Sequence, residues 1–273
     1  MKTSYPIFCL VLVTTTRGQI QIVDTSPGAN QISPSGTYTQ NFDSLTGTGA
    51  GKPWTDNATL PGWYVTDSTY TFGFGLSEGI YSLGYAGGQG DRALGARGSP
   101  SSTDMIFAVR FKNLTSSTLT NVSITFDGEQ WNRQAATNQT ASNLLFAYRV
   151  YNSDSGAIYS DVNDSGWTYD PALDFTSPNA SLTAGSTLDG NAPENSVRGI
   201  NALIDGFTLL PGQELWLRWG SFGGPYGIPI HGLGIDNLSV SFITAIPEPA
   251  AFAGLAGLGA LGFALSRRRS RLG

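Results

Sequence analysis

The stretch Met105-Ile106-Phe107-Ala108-Val109-Arg110-Phe111 decides how the rest of the chain is read. Phe107, Val109 and Phe111 alternate with Ala108 and Arg110, and a period of two is that of a β-strand, whose successive side chains point to opposite faces. The same alternation recurs in Val122, Ile124 and Phe126 opposite Ser123, Thr125 and Asp127, and again in Phe146, Tyr148 and Val150. It returns in Leu215, Leu217 and Trp219 opposite Trp216 and Arg218. Each run predicts a strand with one apolar and one wet face. Clusters of Gly, Asn, Asp, Ser and Pro separate the runs, so the pattern is that of an all-β, antiparallel sandwich rather than of alternating strands and helices. Helical spacing is weak throughout, with its best traces near Arg133–Leu144 and Ser196–Leu203. In the last run the apolar face changes parity, from Ile235 to Leu238, Val240 and Phe242, which predicts a bulge at Asp236-Asn237.

Composition narrows the chemistry. The 273 residues include one His and one Cys, too few for a metal site built on several such ligands or for a disulfide framework. Residues 19–246 hold nine basic against nineteen acidic side chains, a net charge of about −10, which argues against binding a phosphate backbone and so against nucleic acid. The Gly-rich segments Gly47–Gly51 and Gly84–Gly90 lack a following Lys-Ser or Lys-Thr, so they read as loops and not phosphate cradles.

The basic residues missing from the body sit at its ends. Lys2 precedes an apolar run from Tyr5 to Val13 and then small and polar residues from Thr14 to Gly18, which predicts a signal peptide over residues 1–18. Cys9 lies within it, so the expected mature chain carries no cysteine. At the other end, Pro247-Glu248-Pro249 precedes sixteen residues, Ala250 to Leu265, drawn only from Ala, Gly, Leu and Phe, and then Arg267, Arg268 and Arg269. A helix over residues 250–265 spans about 24 Å, somewhat short of a hydrocarbon thickness of about 30 Å, so the flanking Arg must snorkel or the bilayer thin. The Arg cluster favours the cytoplasmic side, which places residues 19–246 outside.

The order of Pro-Glu-Pro, short apolar segment and Arg cluster resembles the PEP-CTERM sorting signal of bacterial secreted proteins. The resemblance implies processing by an exosortase, a transient anchor in the inner membrane, and delivery to the cell surface or extracellular matrix. It divides the chain into signal peptide (1–18), a single β-sandwich domain (19–246) and sorting signal (247–273). Within the body, Asn41-Phe42-Asp43-Ser44-Leu45, Leu60-Pro61-Gly62-Trp63-Tyr64, Gly128-Glu129-Gln130-Trp131 and His231-Gly232-Leu233-Gly234-Ile235-Asp236-Asn237-Leu238 resemble a sandwich domain of such secreted proteins. The first and last of these segments are also similar to the end strands of jelly-roll carbohydrate-binding modules. That likeness implies a jelly-roll-like fold whose two ends pair, with no cofactor other than a structural Ca²⁺, for which Asp43 and Asp236 are the candidate ligands. The favoured reading of each Asp is a residue that hydrogen-bonds backbone groups at a strand turn. Ile230 stands where members of the domain commonly carry an Asp, a departure that weakens a metal or polar role there.

Glycan recognition needs an aromatic ring for the sugar's C–H face and amides or carboxylates at its rim. Trp131, Gln130 and Trp63 are the candidate contacts, from a set of rings that includes Trp54, Tyr64, Trp167 and Tyr169; rings in a sandwich also serve as core. Asp127 and Glu129 lie two apart on one strand, about 6–7 Å from each other, which leaves a polysaccharide-active enzyme as an alternative. Pairing of Glu129 with Arg218 is the favoured reading of that carboxylate. His231 has no nucleophile elbow to serve and reads as a loop residue. The resulting expectation is a non-enzymatic exported protein that contacts exopolysaccharide or surface glycan, with a protein-binding adhesin as a further alternative.

Overall fold

The computed structural model describes residues 19–85, 90–98, 105–133, 141–152, 160, 166–180, 186–220 and 231–244. The predicted signal peptide lies outside them, as does the sorting segment with Pro247, Glu248, Pro249, Arg267, Arg268 and Arg269. Strands β1 (Ile20–Ile22), β2 (Gln31–Ile32), β3 (Thr37–Gln40), β4 (Lys52–Pro53), β5 (Trp63–Val65), β6 (Thr69–Gly73), β7 (Gly79–Leu83) and β8 (Ala93–Arg97) come first. They are followed by β9 (Ile106–Asn113), β10 (Leu119–Arg133), β11 (Asn143–Tyr151), β12 (Thr168–Tyr169), β13 (Phe175–Thr176), β14 (Ser186–Thr187), β15 (Ser196–Ile204), β16 (Glu214–Gly220) and β17 (Gly232–Thr244).

The strands form two sheets. One runs β12-β11-β16-β9-β1-β2, with β13 on β11 and β5 on β9; the other runs β14-β10-β17-β8-β7-β6-β4, with β15 on β10 and β3 on β17. Most pairs are antiparallel, but β1 lies parallel to both β2 and β9, and β6 parallel to β7. The early strand β3 pairs with the last strand β17, Tyr38 opposite Val240, so segments distant in the chain close the sheet together. Gln19 at the head of β1 is also tied in, its amide donating to the buried Glu214 carboxylate at 3.1 Å.

The alternation read from the sequence sorts the core. Phe107, Val109, Phe111, Val122, Ile124, Phe126, Phe146, Leu215, Leu217 and Trp219 are all buried in one cluster between the sheets. Packed rings knit it: Trp219 touches Trp63, Phe107, Phe126 and Phe146 at centroid distances of 5.2–6.2 Å.

Two expectations are corrected. The face of β16 opposite the core is not wet: Trp216 packs with Tyr64, Ile106, Ala108, Ala147 and Trp167, and the Arg218 guanidinium lies 3.8 Å over the Trp167 ring. The weak helical trace at Ser196–Leu203 belongs to strand β15, because pairing with β10 over seven registered positions outweighs a local preference.

Candidate functional site

The site is built around two bulges in the second sheet. Thr125 pairs with Ser239 and Asp127 with Asp236, so two residues of β10 advance against three of β17. The extra length is absorbed at Asn237, which takes a left-handed φ of 50°, a conformation that Asn tolerates better than most residues. This is the irregularity that the change of parity predicts. On the other flank of β10, Phe126 pairs with Ile200 and Gly128 with Val197, so β15 also carries an extra residue, with Gly199 at φ 67°.

Both bulges aim polar groups at the same carboxylates. Asn237 Nδ2 donates to Asp127 Oδ2 at 3.1 Å, and the Gly199 N–H donates to Asp127 Oδ1 at 2.8 Å. Arg198 Nη1 bridges Asp127 Oδ2 at 3.1 Å and Glu129 Oε1 at 3.0 Å. Trp131 Nε1 donates to the remaining Glu129 oxygen at 2.9 Å. Glu129 is 1% exposed, and burial pushes its carboxyl up to about 7 against the lowering effect of the Trp131 hydrogen bond and the Arg198 charge. Asp236, also 1% exposed, is pushed up to about 8, first by burial and then by the Glu129 charge.

Glu129 therefore pairs with Arg198 and not with Arg218. The reason is topological: β10 and β16 belong to different sheets, and Arg218 covers Trp167 on the far side of the first. Asp127 and Glu129 share one guanidinium instead of flanking an open cleft.

The two candidate Ca²⁺ ligands differ in environment. Asp43 accepts the Arg92 N–H at 3.0 Å and the Asn41 amide at 2.6 Å, one on each oxygen. Asp236 Oδ1 is buried without a partner. Ca²⁺ takes about six to eight oxygens, and among the described residues no three His, Cys, Asp or Glu are grouped to hold a metal. The described side chains around Asp43 and Asp236 therefore supply only part of a Ca²⁺ shell.

The glycan candidates lie inside the protein. Trp63 is 0% exposed in the main core, its Nε1 donating to Tyr38 Oη at 2.8 Å. Trp131 is 1% exposed beneath Phe74 and Tyr85, with Gly190 against its ring. Gln130 is fully buried and exchanges hydrogen bonds with the Asn179 backbone, accepting its N–H at 2.9 Å and donating to its carbonyl at 3.2 Å. Trp54, Tyr64 and Trp167 are buried too, whereas Tyr169 is exposed. Burial inside hydrogen-bonded packing leaves Trp131, Gln130 and Trp63 no face to offer a sugar. His231, at the head of β17, is 2% exposed.

The polar surface is elsewhere. A cleft of about 330 Å³ opens beside the β17 bulge, lined by Thr39, Gln40, Asn41, Asn237 and Leu238. It adjoins the outer face of the second sheet, where Thr39, Ser239, Thr125 and Asn201 stand in one cross-strand row and Thr37, Ser241 and Ser123 in the next. Thr37 and Ser241 share a hydrogen bond of 2.8 Å between their hydroxyls. None of these seven side chains is charged or buried. The alternation that marks Val122, Ile124 and Phe126 as core marks Ser123 and Thr125 as outward in the same reading. Their assembly with β3 and β15 depends on pairings that no local pattern specifies.

Residues 245–269 match the PEP-CTERM protein-sorting motif, beginning at the residue after β17 ends. No curated protein matches the chain in sequence. Among solved structures, a Cry1Da tryptic core variant of Bacillus thuringiensis is similar at 11% identity and a TM-score of 0.35, over 83% of this chain and 25% of that one. The chain thus spans a quarter of that protein. TmCBM61, solved with β-1,4-galactotriose, is similar at 9% identity and a TM-score of 0.23, over 57% of this chain and 73% of that one. The K3 cleaved adhesin domain of Lys-gingipain from Porphyromonas gingivalis is similar at 12% identity and a TM-score of 0.32, over 66% of this chain and 91% of that one.

Proposed function

We propose that the chain is an exported protein which an exosortase sorts, through its C-terminal motif, to the cell surface or extracellular matrix, where its non-enzymatic sandwich contacts glycan. The observation that carries the sorting half is the motif match at residues 245–269, directly after the last strand. Changing Pro247, Glu248 and Pro249 together to Ala in a host that carries an exosortase tests it. The expected result is accumulation of the unprocessed chain in the membrane fraction; a variant processed and delivered like the parent overturns the reading.

The glycan half is supported by the uncharged rows of hydroxyl and amide groups around the 330 Å³ cleft. Hydroxyls and carboxamides both donate and accept, as sugar hydroxyls do. Gln40 Oε1 accepts from Tyr38 at 3.3 Å, which leaves its amide N–H groups to a ligand. The Asn237 amide donates to Asp127, which leaves its carbonyl to accept. On a glycan array, the detergent-solubilised full chain binds, and Thr125→Lys with Ser239→Lys weakens that binding about tenfold, a change of about 1.4 kcal/mol. An empty array beside a reproducible protein partner favours the adhesin reading. The engagement of both Glu129 oxygens by Arg198 and Trp131 favours a structural role for that carboxylate. Polysaccharide turnover abolished in a folded Glu129→Gln variant would favour an enzyme.

A further inference from the structure

The end of the sandwich from which the sorting segment departs carries exposed aliphatic side chains. Ile243, the penultimate residue of β17, is 44% exposed. Thr244 pairs with Leu119, and Leu119 bridges to Leu209, so the 46% exposed Leu210 follows in the chain a residue two pairing steps from Thr244. The same end includes Leu114, also 46% exposed. It follows Asn113, whose side-chain amide donates to the Leu209 carbonyl at 2.9 Å and whose own carbonyl accepts from Gly212. Leu203, 53% exposed, stands on the edge strand β15 opposite Ser123, two residues along β10 from Asn121, the partner of Ile243.

The sequence that follows limits where this end can go. From Thr244 to Ala250, the first residue of the apolar run, there are six peptide links, which reach at most about 20 Å fully extended. If residues 250–265 enter a bilayer, this end of the body is held against its surface while the opposite end, with His231 and Gly232, points away. Aliphatic side chains held at a lipid interface gain by burying their surface there.

We infer that Leu114, Leu203, Leu210 and Ile243 form a lipid-facing end that rests on the membrane surface while the chain is anchored. The inference rests on the anchoring step of the proposed function and adds which face of the body meets the lipid. It also gives these side chains a partner during the stage at which the protein is held in the membrane.

An environment-sensitive fluorophore tests it, because the chain's one cysteine, Cys9, can be changed to Ser. In that background Leu210→Cys and Ile243→Cys carry the label at the apolar end. Thr39→Cys on the polar face and Leu76→Cys, which is 60% exposed in the β6–β7 connection, serve as controls. The full chain is reconstituted into phosphatidylglycerol–phosphatidylcholine vesicles and floated. The expected result is flotation, with a blue shift and brighter emission at 210 and 243 relative to detergent-free soluble reference dye and none at 39 or 76. A chain that fails to float removes the anchoring premise. A chain that floats with all four labels in water overturns the lipid-facing end and leaves anchoring intact. A shift at 210 and 243 that also arises in detergent and grows with protein concentration assigns the end to a second copy of the chain, and overturns the inference as well. Leu210→Glu and Ile243→Asp, at exposed positions, should leave melting unchanged while abolishing the shift at the other labelled site.

Discussion

Glu129 and Asp236 are two buried carboxyls whose protonation the fold controls. Burial holds Glu129 at about 7 and Asp236 at about 8, both above the value of about 4 expected in an unfolded chain. The folded protein therefore keeps protons that the unfolded chain releases from about pH 4 upward. Stability from this source is full below that pH and is lost as pH rises through about 7 and 8. Besides burial, the groups that set the balance are the Trp131 and Asn237 N–H groups and the Arg198 cation on one side, and on the other the Glu129 charge beside Asp236 with the Asp91 and Asp43 charges. Melting temperature should fall between pH 5.5 and pH 9, and Asp236→Asn should flatten the upper part of that fall; a profile unchanged by the substitution would contradict the assignment. Arg198→Met removes the partner of both Asp127 and Glu129, and should destabilise more at pH 8 than at pH 5.5, because an ionised Glu129 loses more with that cation than a protonated one. Trp131→Phe removes one hydrogen bond to the same carboxylate and should cost about 1–2 kcal/mol, read by urea denaturation.

At the scale of elements, what could be read from the chain was whatever repeats locally. Phe107, Val109 and Phe111 identify a strand because period two is visible within seven residues, and the change of parity at Asp236-Asn237 identifies a bulge for the same reason. Arg198 could not be identified as the partner of Glu129, because the two lie 69 residues apart and meet only after β15 pairs with β10. The glycan assignments failed for a related reason: sequence shows that Trp63 and Trp131 are rings but not which side of a sheet they cover. The glycine content has a similar hidden meaning. Gly95 and Gly234 face each other across β8 and β17 under Leu83, and a Cβ on Gly95 would run into the Leu83 side chain and the Leu233 carbonyl. Gly95→Ala should cost about 1–3 kcal/mol in urea denaturation. Asn237→Val, a β-branched residue at positive φ that also deprives Asp127 of a donor, should cost a similar amount of about 1–3 kcal/mol.

The whole molecule joins a closed fold to a delivery segment with no spacer between them. Strand β17 pairs with β10 along most of its length, with β8 at its start and with β3 toward its end, so it is central to its sheet and not a detachable edge. Its last residue, Thr244, is registered with Leu119, and the sorting motif begins at residue 245. Removal of the motif thus has a structural limit. A cut before Thr244 would strip a central strand of core residues such as Leu238, Val240 and Phe242 and expose the inner face of β10. A cut after it leaves every described pairing in place. The processed protein should therefore retain Thr244, and its intact mass should place the new C-terminus at or beyond that residue. A chain shortened to end at Leu238 should fail to melt cooperatively. A product whose mass places its end within β17 while it still melts as one unit would show that the last strand is dispensable, and would undo the closure of the fold argued from its pairings.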